Sequence, residues 1–318
     1  MEIGSKHIVG CIHSALHTET FKLYLSFLSY TLNVVNKLNL EFQSEKTNIH
    51  RLHNRMEDLY GLLLKNYMQR RYIESTTIEK INPQNISFYL DYNELYVGPL
   101  AELIIQDGHL SAAEINSFKI KALDYYVNLC KAIRKRFSFD NKVLKNLYLI
   151  DPQKFLNGDK FQSIIPLASE FPNLIEKNKL SEIDSEYREL QSVSKKLALE
   201  IDNIDSFWDS VSRLSSGGSS KLFPTLSTFA QAILSLPHST AEVERVFSQL
   251  SLIKTKLRNK LLTKTTEALI LAKGLLKENC SSCYNYKSNT KLPKQKTEAE
   301  HENNENYEND IDNIILLL

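Results

Sequence analysis

Along most of this chain apolar residues recur every three or four positions, the spacing that lines one face of an α-helix. Phe21, Leu25, Leu28, Leu32, Val35, Leu38 and Phe42 form a first stripe, and Ile49, Leu52, Met56, Leu59, Leu63 and Tyr67 a second. The short polar gap between them predicts an antiparallel helical hairpin. Residues 74–98 lose the period, and residues 87–92 (Ser-Phe-Tyr-Leu-Asp-Tyr) are the best extended candidate in the chain. Ser111 with Glu114 three residues on reads as a capping box, opening a helix that carries Ile115, Phe118, Ala122, Tyr126, Leu129, Ile133 and Phe137. Pro152, Pro166 and Pro172 then divide the chain into short pieces before a last long stripe at Ile183, Tyr187, Leu190, Leu197 and Ile201.

Beyond a Ser/Gly insert at residues 215–220, which separates Trp208 from Phe223, the pattern becomes denser. Pro224 suits the first turn of a helix bearing Leu226, Phe229 and Ile233, and Pro237 keeps that helix from running on. Ser239 and Glu242 have the spacing of a second capping box. Val243, Phe247, Leu250, Ile253, Leu257 and Leu261 continue one stripe from that start, while Glu244, Ser248, Ser251, Thr255 and Arg258 fall on another face. The stripe suits burial against its own chain or against a partner, and spacing alone does not divide Phe229, Ile233 and the later residues between the two. From Arg245 to Thr266 there are six basic residues (Arg245, Lys254, Lys256, Arg258, Lys260 and Lys264) and no acidic one. Such a strip reads either as a phosphate-contacting surface or as a solvated helix face. Arg245 itself suits a phosphate or a buried carboxylate equally.

Composition narrows the classes. The chain has 318 residues, 42% of them hydrophobic, with only 9 Gly and 8 Pro, so most of it has the means to fold, mainly as helices. Its 39 basic and 38 acidic residues leave a formal charge of +1, so attraction to a polyanion has to come from local clustering. Cys11, Cys130, Cys280 and Cys283 are too few for a disulfide framework in a chain of this length. The lone Cys280/Cys283 pair lacks the downstream histidines of a zinc finger, so no metal site is expected. No apolar run reaches the roughly 20 residues that span a bilayer, and the reading is a soluble, intracellular protein with no membrane partner and no evident small-molecule substrate. Residues 285–312 are too polar to offset the entropy of folding and read as a disordered tail, ending in the apolar Ile314-Ile315-Leu316-Leu317-Leu318.

Phe207-Trp208, Phe223-Pro224, Leu236-Pro237-His238-Ser239, Glu244-Arg245-Val246-Phe247-Ser248 and Arg258-Asn259 together resemble the C-terminal end of hAT-family DNA transposases. Upstream, Leu40-Glu41-Phe42-Gln43-Ser44-Glu45 and Arg136-Phe137 are similar to the helical insertion that interrupts the ribonuclease-H-like catalytic fold of these enzymes. The resemblance implies a mainly α chain in four parts. Residues 1–18 are unassigned, 19–205 form the insertion-like domain, 206–279 the C-terminal dimerisation region and 280–318 the disordered tail. It implies self-association, or pairing with related hAT proteins, and action in the nucleus.

In the family three acidic residues hold two divalent metal ions, and Glu244 corresponds to the third. The first two belong to a β-rich half that is not found here. Asp91 and Asp151 end apolar runs but lie in no series of strands, and one carboxylate cannot assemble the site. The expected function is therefore protein dimerisation by a catalytically inactive transposase derivative with no cofactor. Glu244 then pairs with a nearby base or faces solvent. Two readings compete with this: a nucleic-acid-binding accessory using residues 245–264, and a DDE-type transposase completed by upstream sequence, which would need Mg2+.

Overall fold

The structure, a computed structural model, describes Leu16 and residues 18–44, 47–155, 161–193, 201–215, 220–237, 239–256 and 258–279. Among the described residues it is helical and contains no strand. Two isolated antiparallel bridges occur, Met68 with Tyr89 and Ser215 with Lys221. The chain separates into two compact units, Met1–Ser239 and Thr240–Leu318.

The helices of the first unit are α1 (Glu19–Gln43), α2 (Leu52–Lys65), α3 (Arg70–Ser75), α4 (Pro99–Gln106), α5 (Ala112–Arg136), α6 (Lys142–Asn146), α7 (Pro152–Phe155), α8 (Ile165–Ala168), α9 (Leu180–Val193), α10 (Ile204–Arg213) and α11 (Pro224–Leu234). Thr18 starts α1 by accepting the Phe21 N–H at 3.3 Å. The buried face of α1 is Leu23, Phe27, Thr31 and Phe42, rotated from the sequence stripe, in which Leu25 and Leu32 are exposed. Thr31 tolerates burial because its hydroxyl donates to the Phe27 carbonyl at 3.1 Å, leaving only its methyl to pack. The hairpin with α2 is antiparallel. Arg55, early in α2, grips Glu41 late in α1 at 3.0 Å, while the Tyr30 hydroxyl, midway along α1, donates to Asn66 at the end of α2 at 3.4 Å.

The extended stretch expected at residues 87–92 does not form. Two 3-10 turns, Ile86–Phe88 and Tyr92–Glu94, occupy it instead. A strand needs a ladder, and here only Gln69 N–H to Phe88 O (2.8 Å) and Leu90 N–H to Tyr67 O (2.9 Å) cross to a neighbour, while the Asn85 side chain turns the chain by accepting the Ser87 N–H. The loop closes at Gly98, whose φ of +97° and whose proximity to Tyr30 both favour a residue without Cβ.

The capping box at Ser111 and Glu114 forms with both reciprocal hydrogen bonds. The α5 helix that it opens buries Phe118, Ala122, Tyr126 and Cys130 against α1 and α2. Phe118 and Tyr126 meet Phe27 edge to face at 5.8 and 5.3 Å, and burial pushes the Cys130 thiol up to about 12.

A second apolar core joins α8, α9, α10 and α11 around Trp208, Phe207, Tyr187, Phe223 and Phe229. Trp208 donates its indole N–H to the Ile150 carbonyl at 3.0 Å, and Tyr187 its hydroxyl to Leu149 O at 2.7 Å. Residues on both sides of the 205/206 boundary read from the sequence share this core. The unassigned residues 1–15, most of the Ser/Gly insert (216–219) and the whole of 280–318, with Cys280 and Cys283, lie outside the described residues.

The second unit holds α12 (Ala241–Ile253) and α13 (Thr263–Asn279), which contact each other, with Leu261 and Thr266 buried.

Candidate dimerisation site

In the first unit α11 begins with Pro224 at its first position, and its cap residue, Phe223, has no side chain to satisfy the free amides. Glu186 of α9 does so from across the core, accepting the Leu226 N–H at 2.7 Å and the Thr225 N–H at 3.3 Å. Glu182, one turn earlier, accepts the Thr225 hydroxyl at 2.9 Å. Burial pushes the Glu186 carboxyl above the ordinary glutamate range, against the lowering effect of those amides. So anchored, α11 turns Phe229 and Ile233 inward, where they are 2% and 0% exposed, and Phe229 meets Phe171 edge to face at 5.9 Å. Both residues belong to the core of the first unit.

In the second unit the cap of α12 is Thr240, one residue later than the sequence places it. The Thr240 side chain makes no cap bond to the backbone. Its hydroxyl donates instead to Glu244 Oε1 at 3.1 Å, while the Glu244 N–H donates to Thr240 O at 2.9 Å. Glu244 is exposed and lies near the positive end of the helix, where an anionic side chain is favoured. Among the described residues there is no group of three His, Cys, Asp or Glu side chains able to hold a metal. Asp91 heads a 3-10 turn. Asp151 is buried 3.9 Å from His50 and 3.7 Å from Arg51 and accepts the Gln153 N–H at 3.0 Å, which caps α7.

The single long helix expected from Val243 to Leu261 stops short. α12 ends at Ile253, Lys254 leaves helical geometry (φ −101°, ψ 82°), and α13 starts only at Thr263. The reason is in the sequence. A continuous helix would set Lys254 against Arg258, Lys256 against Lys260 and Lys260 against Lys264, three like-charge pairs at i,i+4, around the weak helix formers Thr255 and Asn259.

The basic strip is thereby spread over three settings. Arg245 is on α12, Lys254, Lys256, Arg258 and Lys260 lie in the connection, and Lys264 is in the first turn of α13. The four lysines are exposed. Arg258 is half-buried, and its Nη2 has no hydrogen-bond partner.

The apolar stripe is divided too. Leu250 and Ile253 are half-buried, Leu261 is buried, and Leu257 lies outside the described residues. Val243 and Phe247 stand out at 54% and 60% exposure, and Val246, between them, at 44%. Leu252, 71% exposed, stands apart. Val246 was legible as the i+3 neighbour of Val243, whereas nothing in the spacing marked Leu252.

An exposed apolar triplet on one turn of a helix is a surface awaiting a cover. Residues 189–276, which include it, match the model of the hAT family C-terminal dimerisation region. This stretch is similar to an hAT dimerisation region. The match runs from within α9, ahead of the boundary at 206, through α10, α11 and α12 into α13, and supports the resemblance to the C-terminal portion of an hAT-family transposase. Association with itself or with another hAT chain is the activity this region supports. No curated protein and no solved structure matches the chain. Among the described residues no helix is long and apolar enough to cross a membrane.

Proposed function

We propose that this chain is a catalytically inactive transposase derivative that pairs with a second copy of itself through the apolar face at the start of α12. The observation that carries the reading is the exposure of Val243, Val246 and Phe247 at i, i+3 and i+4 inside the hAT dimerisation region. Covering these three in each chain contributes about 1.5 kcal/mol or more per side chain, a sum that has to exceed the entropic cost of association. Light scattering after size exclusion, at tens of micromolar chain, tests it. A dimer that becomes a monomer in Phe247→Asp supports the pairing, and a wild-type chain that stays monomeric overturns it. Phe229 and Ile233 are not part of the proposed surface, because they are occupied in the core.

Inactivity is proposed because Glu244 is held by Thr240 and belongs to no group of three His, Cys, Asp or Glu side chains able to hold a metal among the described residues. Metal-dependent strand transfer that disappears in Glu244→Gln would overturn this. A nuclear site of action goes with the same reading, and imaging of a tagged chain tests it.

A second reading, nucleic-acid binding, is favoured by the partnerless buried nitrogen of Arg258 amid Lys254, Lys256, Lys260 and Lys264. It requires binding to duplex DNA that falls steeply with salt and is weakened by charge reversal at Lys254 and Lys256. Binding unaffected by both would remove it.

A further inference from the structure

Far along the sequence from the dimerisation region, Lys131, Arg134 and Lys135 of α5 line a hollow of about 310 Å3 together with Asn82, Pro83 and Gln84. We propose that this hollow binds a phosphate group.

Three cations project into it from one stretch of helix, and no carboxylate lines it. Lys131 and Lys135 are exposed, stand at i,i+4 and form no ion pair among the described residues, so without an anion they repel each other on the helix face. The helix macrodipole accounts for cations in the last turn, which is Arg134, Lys135 and Arg136, but Lys131 lies outside it. Arg134 is fixed in place, its guanidinium donating to the Ile81 and Glu79 carbonyls. Its charge thus belongs to the wall of the site and does not swing away.

The rest of the lining includes neutral donors. Asn82 uses its side-chain oxygen to accept the Gln84 N–H at 3.0 Å, which leaves its amide hydrogens as donors, and Gln84 is exposed as well. Glu79 and Asp140 line a separate hollow together with Arg134. There Glu79 faces Lys145 at 3.9 Å and Asp140 accepts the Ser138 hydroxyl at 2.7 Å. A tetrahedral oxyanion in the first hollow would take charge-assisted hydrogen bonds from both lysines and further ones from the amides, and would remove their mutual repulsion.

Inorganic phosphate titrated into the full chain at constant ionic strength, with chloride as the balancing salt, is expected to raise the melting temperature saturably. In Lys131→Gln/Lys135→Gln the phosphate affinity should fall by about tenfold or more, while Lys254→Gln/Lys256→Gln should leave it unchanged. Both lysines of the first pair are exposed, so that variant should melt no lower than wild type without phosphate. A rise of equal size in it, or no saturable rise in wild type, overturns the proposal. A short oligothymidylate provides the second arm. If its affinity also falls in Lys131→Gln/Lys135→Gln, the phosphate the site serves is that of a nucleic-acid backbone, and if only inorganic phosphate is affected, it is a free one.

Discussion

Glu186 and Glu244 are both carboxylates near helix starts, but their surroundings give them opposite character. Glu186 is nearly buried, and desolvation outweighs the two amides it accepts, so its folded pKa is raised. The sign follows from linkage. Its contribution to stability is fully present below the ordinary glutamate value of 4.5 and is lost as pH rises through the raised folded value. Buried Asp151, also raised by desolvation, acts in the same direction. Urea midpoints measured at pH ~4 and ~7 should therefore differ less in Glu186→Gln than in wild type, since the variant lacks one of the titrating groups. Gly98 is a second residue whose role is local. A Cβ there would lie 2.7 Å from the Tyr30 side chain at a φ of +97°, so Gly98→Ala should cost about 2 kcal/mol or more in urea unfolding.

Elements differ in how openly the sequence announces them. The α5 helix is announced at its start, because Ser111 and Glu114 complete their hydrogen bonds within four residues of chain. Ser111→Ala should lower stability by about 1 kcal/mol, read as a shift in the urea midpoint with unchanged slope. By contrast α12 carries the same signature at Ser239 and Glu242, yet its cap is Thr240. A capping pattern states that a helix begins nearby, and competing hydroxyls one residue apart leave the register open. The break after Ile253 was written in the charges but hidden by the apolar stripe, which runs at helical spacing straight through it. On α1 apolar residues cover more than one face, so periodicity alone could not say which would be buried, and Leu25 and Leu32 ended outside.

For the whole molecule, the two classes of apolar residue in the hAT region should separate by experiment. Phe229→Ala opens a cavity in the second core and should cost about 3–5 kcal/mol of stability, measured by thermal or urea unfolding. Phe247→Ala removes an exposed ring and should leave the melting temperature of dilute protein nearly unchanged while weakening self-association, measured by sedimentation against concentration. A loss of folding in both variants would mean that Phe247 belongs to a core.

What the sequence alone determined is the helical class, the capping box of α5 and the hAT resemblance that the match at residues 189–276 supports. Each rests on residues close together in the chain, where backbone geometry and short spacings carry the information. Only the tertiary structure separated Phe229 and Ile233 from Val243 and Phe247, supplied Glu186 as the cap of α11, and brought Asn82 and Gln84 to the lysines of α5. Burial and remote hydrogen bonds depend on which surfaces the fold brings together, and an apolar or charged side chain has the same spacing whichever way it finally faces.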